Sequence, residues 1–122
     1  MKYNHIYADQ AGESHFKDAK VDFTETNFAP PAPPLNLSPF NPATQYAFCS
    51  FPVGWTGDWH PTPKRQIFFI LSGEVAAQVG DGEVRHFGPG DVVLAEDTTG
   101  KGHTSWVISK TDMLAAVVQL PD

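Results

Sequence analysis

No stretch of the 122-residue chain carries the three-and-four spacing of apolar residues that an amphipathic helix of useful length needs. That absence argues against helical bundles and alternating α/β folds. Cysteine is nearly absent as well: Cys49 stands alone, which excludes an intrachain disulfide. It lies in the apolar run QYAFCSF with no histidine close in sequence, so it reads as a buried, inert thiol and not as a nucleophile. No apolar run approaches the roughly 18 residues of a membrane-spanning helix. The N-terminal MKYNHIYADQAGESH lacks the apolar stretch of a signal peptide, so the expected compartment is the cytoplasm, with no membrane partner. Blocks of Lys or Arg are missing too. Eight basic against fourteen acidic residues leave a formal charge of −6, and no nucleic-acid partner is expected.

What is abundant is turn chemistry. Eleven prolines and ten glycines in a chain of single-domain length point to many short strands. Six of the prolines fall between positions 30 and 42, in APPAPPLNLSPFNP, where missing backbone donors favour an extended loop. Residues 1–42 are therefore read as an N-terminal arm with a Pro-rich segment, with one strand expected around Phe16, Val21 and Phe23. Residues 43–122 are read as a β-barrel. TQYAFCSF, RQIFFILS, VAAQV, EVRHF, VVLAE, TSWVIS and MLAAVVQL are short apolar runs separated by Gly-rich turns, and Gly80-Asp81-Gly82 is a hairpin signal. Seven to nine such strands predict an all-β sandwich or barrel.

The stretch GWTGDWHPTPKRQIFFILSG at 54–73 carries a more specific pattern. Gly54, His60, Thr62, Gln66 and Gly73 lie on the frame G-x5-H-x-H-x3,4-E-x6-G, with Thr62 and Gln66 in place of the second His and the Glu. Further on, Gly100 and His103 fit the frame G-x5-P-x-G-x2-H-x3-N, while Thr98 and Val107 replace its Pro and Asn, and Gly90 lies two residues too far from the motif. On these residues the chain resembles the cupin family over about positions 43–118, and is similar to its small single-domain members. The resemblance implies a single-domain jelly-roll barrel. It does not select a chemistry, because the family spans oxygenases, isomerases, lyases, epimerases, storage proteins and sensors.

Strand alternation gives an independent geometric expectation. If His60 faces the barrel interior, so do Thr62, Gln66, Phe68 and Ile70, while Ile67, Phe69 and Leu71 face a subunit interface or second sheet. His103 and Ser105 share one face of their strand, opposite Trp106. The expected pocket joins catalytic His60, His103 and Gln66 to substrate-contacting Thr62, Phe68, Ser105, Trp59 and Tyr46. It would take a small organic molecule. Three functions compete for it. In the first, the imidazoles exchange protons with a substrate that Gln66 polarises, as an isomerase, lyase, dehydratase or cyclase requires. In the second, His60, Gln66, His103 and Glu96 (or Asp97) hold a divalent transition metal (Fe, Mn, Ni, Cu or Zn) for a lyase or oxygenase. In the third, the barrel only binds or senses its ligand. The first is the leading expectation, because the histidines are retained where other family ligands are missing. A homodimer is also expected, since pairing with a second subunit covers exposed sheet edges and the arm can wrap a neighbour.

Overall fold

The computed structural model describes residues 1–122 as twelve strands with no helix. In chain order they are β1 (Lys2–Ala8), β2 (Ser14–Lys20), β3 (Thr24–Thr26), β4 (Leu35–Leu37), β5 (Gln45–Phe51) and β6 (Thr56–His60). There follow β7 (Gln66–Ser72), β8 (Val75–Gln78), β9 (Val84–Phe87), β10 (Val92–Glu96), β11 (His103–Val107) and β12 (Met113–Gln119). A six-stranded sheet ordered β2-β1-β10-β7-β12-β5 faces a four-stranded sheet ordered β6-β11-β8-β9, and together they form the jelly roll. Between the sheets lies one core, built from Ile6, Phe16, Ile70, Val75, Phe87, Val93 and Met113 among others.

The first twenty residues depart from the expected arm. β1 lies parallel to β10 and antiparallel to β2, inside the main sheet, and Ile6 and Phe16 are core residues at 2% and 7% exposure. The boundary expected at residue 42 therefore does not divide barrel from arm. The segment looked polar because alternation exposes one half of it. Ile6 turns inward while His5 and Tyr7 turn outward, so KYNHIYA has few apolar residues to show. The Pro-rich stretch, read as an extended loop, contains the short strand β4. Around it only β3 and β4 pair, with each other and with no strand of the barrel.

Turn chemistry fixes the connections. The β8–β9 hairpin closes over Gly80-Asp81-Gly82 with Gln78 opposite Val84, and Gly82 takes φ +96°. Gly73, between β7 and β8, has φ +72°, and a Cβ there would meet the Asp112 carbonyl oxygen at 2.5 Å. Only glycine satisfies both demands at that position.

Over β5, β12, β7 and most of β10 the six-stranded sheet is apolar on both faces. Its inner face carries Phe68, Ile70, Val93 and Ala115 against the core. On its outer face the registers align two rows across four strands. Tyr46, Val118, Ile67 and Leu94 form one, and Phe48, Ala116, Phe69 and Val92 the other. An ordinary antiparallel sheet with one face to water would alternate apolar with polar residues.

On β2, the edge strand of the same sheet, His15 links two hairpins. Its Nδ1 lies 2.7 Å from Asp81 Oδ2 and its Nε2 2.8 Å from Asp9 Oδ2. Both carboxylates accept, so the ring is protonated on both nitrogens. The bonds to Asp9 and Asp81 raise the His15 pKa above its ordinary 6.5, the bond from His15 helps hold Asp9 below 3.8, and the Glu83 amide with His15 does the same for Asp81. The His15 contribution is full below pH 6.5 and fades as pH rises through its raised value. The carboxylate contributions are full above 3.8 and vanish as pH falls through their lowered values. The link is therefore strongest between about pH 4 and 6.5. In an NMR titration His15 should titrate above 6.5, with exchange of the hairpin-turn amides slowest in that window. A His15 value at or below 6.5 would contradict the clamp.

Candidate functional site

The site forms where β6 and β11 run side by side. His60 and His103 are directly opposed, and so are Gly57 and Ser105, with one extra residue on β6 between the two pairs. This β-bulge resets the alternation of β6 and brings His60 to the face of His103. Their ring centroids are 5.1 Å apart. The strands approach closely because residue 102 is glycine. At φ +76°, a Cβ on Gly102 would lie 1.9 Å from the His60 carbonyl oxygen.

Each imidazole is fixed through Nδ1. His103 Nδ1 lies 2.7 Å from Asp97 Oδ2, and His60 Nδ1 donates to the Asp58 carbonyl oxygen at 2.6 Å. A carbonyl can only accept, so His60 carries its proton on Nδ1. The Asp97 carboxylate places that of His103 likewise, and Nε2 of both rings is free to take a proton. Asp97 is fully buried, and its other oxygen accepts from Thr62 Oγ1 at 2.7 Å. The Thr62 amide also donates to the Asp97 carbonyl at 3.0 Å. The chain Thr62–Asp97–His103 thus ties the β6–β7 loop to the end of β10 and the start of β11. It leads into a cavity of about 80 Å³ between the sheets, lined by His103, Ser105, Phe68, Ile70, Phe51 and Met113 with further apolar side chains. At roughly 30 Å³ per water molecule, this space holds a small molecule or one end of a larger one. Ser105, two residues beyond His103, lines this cavity as well.

Of the expected pocket residues, the structure brings together His60, His103, Phe68 and Ser105, with His60 exposed at the rim. It separates the others. Thr62 is 2% exposed and spends its hydroxyl on Asp97. Gln66 accepts from Gln119, which in turn accepts from Gln45; the three stand opposite one another on neighbouring strands, so their amides bond laterally and Gln66 does not line the cavity. Trp59 packs under Lys101, whose Nζ lies 4.1 Å from the ring centroid. Tyr46 is on the outer face and 73% exposed. Glu96 also points outward, where Arg65 and His5 hold it. Burial opposes its ionisation, but those two partners outweigh burial and keep its carboxyl below the usual range. Burial likewise pushes the Cys49 thiol up, which suppresses its thiolate. Asp97 is the residue that sequence reasoning left undecided. Alternation along β10 puts Glu96 and Asp97 on opposite faces, and only the fold shows which face is inside: Val93, Ala95 and Asp97 are buried while Val92, Leu94 and Glu96 are less so.

This donor set does not fit a tightly held transition metal. The barrel offers two imidazoles, and both Asp97 oxygens are already engaged. The one close grouping of three His, Asp or Glu donors is Asp9, Glu13 and His15 on the surface, where carboxylates occupy both His15 nitrogens. Elemental analysis of protein purified without chelator should find far less than one transition metal per chain. Near-stoichiometric metal that disappears in His60→Ala would refute this. Thr62→Val keeps the volume but leaves a buried carboxylate short of one donor, and should destabilise the fold by about 1–3 kcal/mol in chemical denaturation.

The cupin domain family model matches residues 47–118. No curated protein sequence matches significantly. Among solved structures, the chain is similar to the DMSP lyase DddQ from Ruegeria pomeroyi DSS-3, at 25% identity and TM-score 0.51 over 63% of this chain. The match spans 38% of that lyase's length. It is similar also to the cupin domain of Schizosaccharomyces pombe Cnp3, at 15% identity and TM-score 0.54, over 89% of this chain and 73% of that one.

Proposed function

This chain belongs to the cupin domain family, and from that premise we propose that it is a non-oxidative enzyme of the lyase or isomerase type, acting on a small organic molecule by proton transfer. The observation that carries the reading is the buried Asp97–His103 pair opening onto an apolar cavity. Asp97 fixes the His103 proton on Nδ1 and leaves Nε2 as the base, with its charge supported once it accepts a proton. The Ser105 hydroxyl, two residues on and facing the same cavity, orients a carbonyl or carboxylate of the substrate. This is the role that Gln66 was expected to fill.

In an elimination, His103 Nε2 removes a proton from a carbon next to that activating group. The C–H electron pair becomes the new double bond, and the leaving group departs with the electrons of its own bond. His60, at the rim and 5.1 Å away between ring centroids, is placed to protonate the leaving group when its ring is cationic. In an isomerisation the same proton returns at another carbon. Similarity to a DMSP lyase supports the elimination branch and makes DMSP the first substrate to test.

The test is proton NMR in deuterium oxide with DMSP and a panel of small carbonyl and carboxylate compounds, read for elimination products and for solvent deuterium entering the substrate. His103→Ala should lower the rate by about 10²–10⁴-fold, the usual contribution of a positioned base. His60→Ala should fall less for substrates with a good leaving group. Full turnover in His103→Ala would overturn the assignment. A compound that raises the melting temperature and returns unlabelled and unchanged would favour a binding module instead.

A further inference from the structure

We propose that Ser14 is a positioning residue for the two site histidines: its hydroxyl pins the Gly102 carbonyl and so holds His60 and His103 in place against each other. The inference builds on the reading of His103 as the base, but the pin itself is read on the rings with no substrate present. It starts from the loop that joins Asp97 to His103, the two partners whose bond orients the imidazole. Residues 98–102 of that loop read TTGKG. Both glycines stand at φ +76°, and such a backbone has many conformations when nothing holds it.

Little does hold it. Residues 98–101 are exposed, and only Gly102 is buried. Residues 99–102 make a single hydrogen bond to a distant part of the chain, and Ser14 at the start of β2 supplies it: Oγ donates to the Gly102 carbonyl at 2.7 Å. The same oxygen accepts from the Gly80 amide at 2.7 Å, so the hydroxyl serves as donor and acceptor at once. At 1% exposure both bonds are shielded from competing water. One side chain thus joins the β1–β2 turn, the β8–β9 turn and the loop that leads into His103.

Gly102 carries the pin to both rings. It precedes His103 in the chain, and it lies so close to the His60 carbonyl that a Cβ would overlap it. A shift of the Gly102 peptide therefore moves the end of β6 and the start of β11 together. Gly100 adds a contact without a bond, resting on the β1–β2 turn where a Cβ would lie 2.1 Å from the Gly12 carbonyl oxygen. Asp97 selects which nitrogen of His103 carries the proton, and Ser14 fixes where the ring stands. A serine that only stabilised the fold would leave the rings alone when removed.

Proton–nitrogen NMR on the full chain, without substrate, follows the His103 Nδ1 proton. Ser14→Ala loses both bonds with one atom, so that proton should exchange with water about tenfold faster or more, the weight of two ordinary hydrogen bonds. The nuclear Overhauser contact between the His60 and His103 rings should weaken with it. Phe16→Leu truncates the buried core on the same strand and keeps the hydroxyl; it should lower the melting temperature and leave that exchange near the wild-type rate. On a substrate that is turned over, Ser14→Ala should lower kcat by about 10–10²-fold with KM little changed, as a misplaced base does. Wild-type exchange and ring contact in Ser14→Ala overturn the proposal, and so does equal acceleration in Phe16→Leu. Rings that move in Ser14→Ala while His103→Ala keeps full turnover support the pin and sink the base assignment instead. If Ser14→Ala does not fold, the wild-type chain decides. Its Gly80 amide and His103 Nδ1 proton should open in one step, with the same dependence on denaturant. A Gly80 amide that exchanges freely while the ring proton stays protected overturns the proposal.

Discussion

A carboxylate with no access to water must find its hydrogen bonds inside the protein, and Asp97 imposes that requirement on this barrel. With 0% exposure, it needs Thr62 on one oxygen and the His103 ring on the other. The two donors come from a loop and a strand start that are otherwise unconnected in sequence. Satisfying one buried charge therefore fixes where β6 turns into β7, where β10 ends and how β11 begins. The same bond selects the His103 tautomer. Packing here and the orientation of the His103 ring depend on one group, so a change at Thr62 is felt at the imidazole without touching it.

The departures from the family motif become intelligible through this network. Thr62 occupies the place of a second histidine, but its hydroxyl is a donor aimed at Asp97. Gln66 occupies the place of a glutamate, and as an amide it joins Gln119 and Gln45 in a lateral ladder. A carboxylate at position 66 would have no cation in that ladder. Each substitution replaces a group that would present a lone pair or charge to the interior with one that is satisfied by the protein itself. What remains open to a ligand is one oriented imidazole, a second at the rim and a serine hydroxyl.

The large sheet answers two environments at once. Its inner face closes the cavity with Phe68 and Ile70, and its outer face repeats apolar rows toward solvent. Both follow from strands that carry apolar residues at nearly every position, a pattern expected of strands covered on both sides. β5, β7 and β12 carry no acidic residue, whereas Glu96 at the end of β10 is paired with Arg65 and His5.

The all-β class, the turn at 80–82, the Pro-rich interruption and the inward phase of Phe68, Ile70, His103 and Ser105 were legible in the sequence. Each depends on local chemistry or on strict two-residue alternation. β1 was not legible, because its place beside β10 is a pairing across some ninety positions and its own residues look polar. Alternation also failed at β6, where a bulge shifted the phase, and Thr62 lies beyond the end of that strand. Glu96 and Asp97 could not be ranked without knowing which β10 face met the core. Tyr46, expected to contact the substrate, has a register with Val118 that turns it outward. The sequence determined the apolar strands from β5 onward, the glycine turns and the histidine motif, since these follow from neighbours along the chain. Only tertiary structure decided which carboxylate reaches His103 and which apolar face is left open, because both depend on contacts between strands that are far apart in sequence.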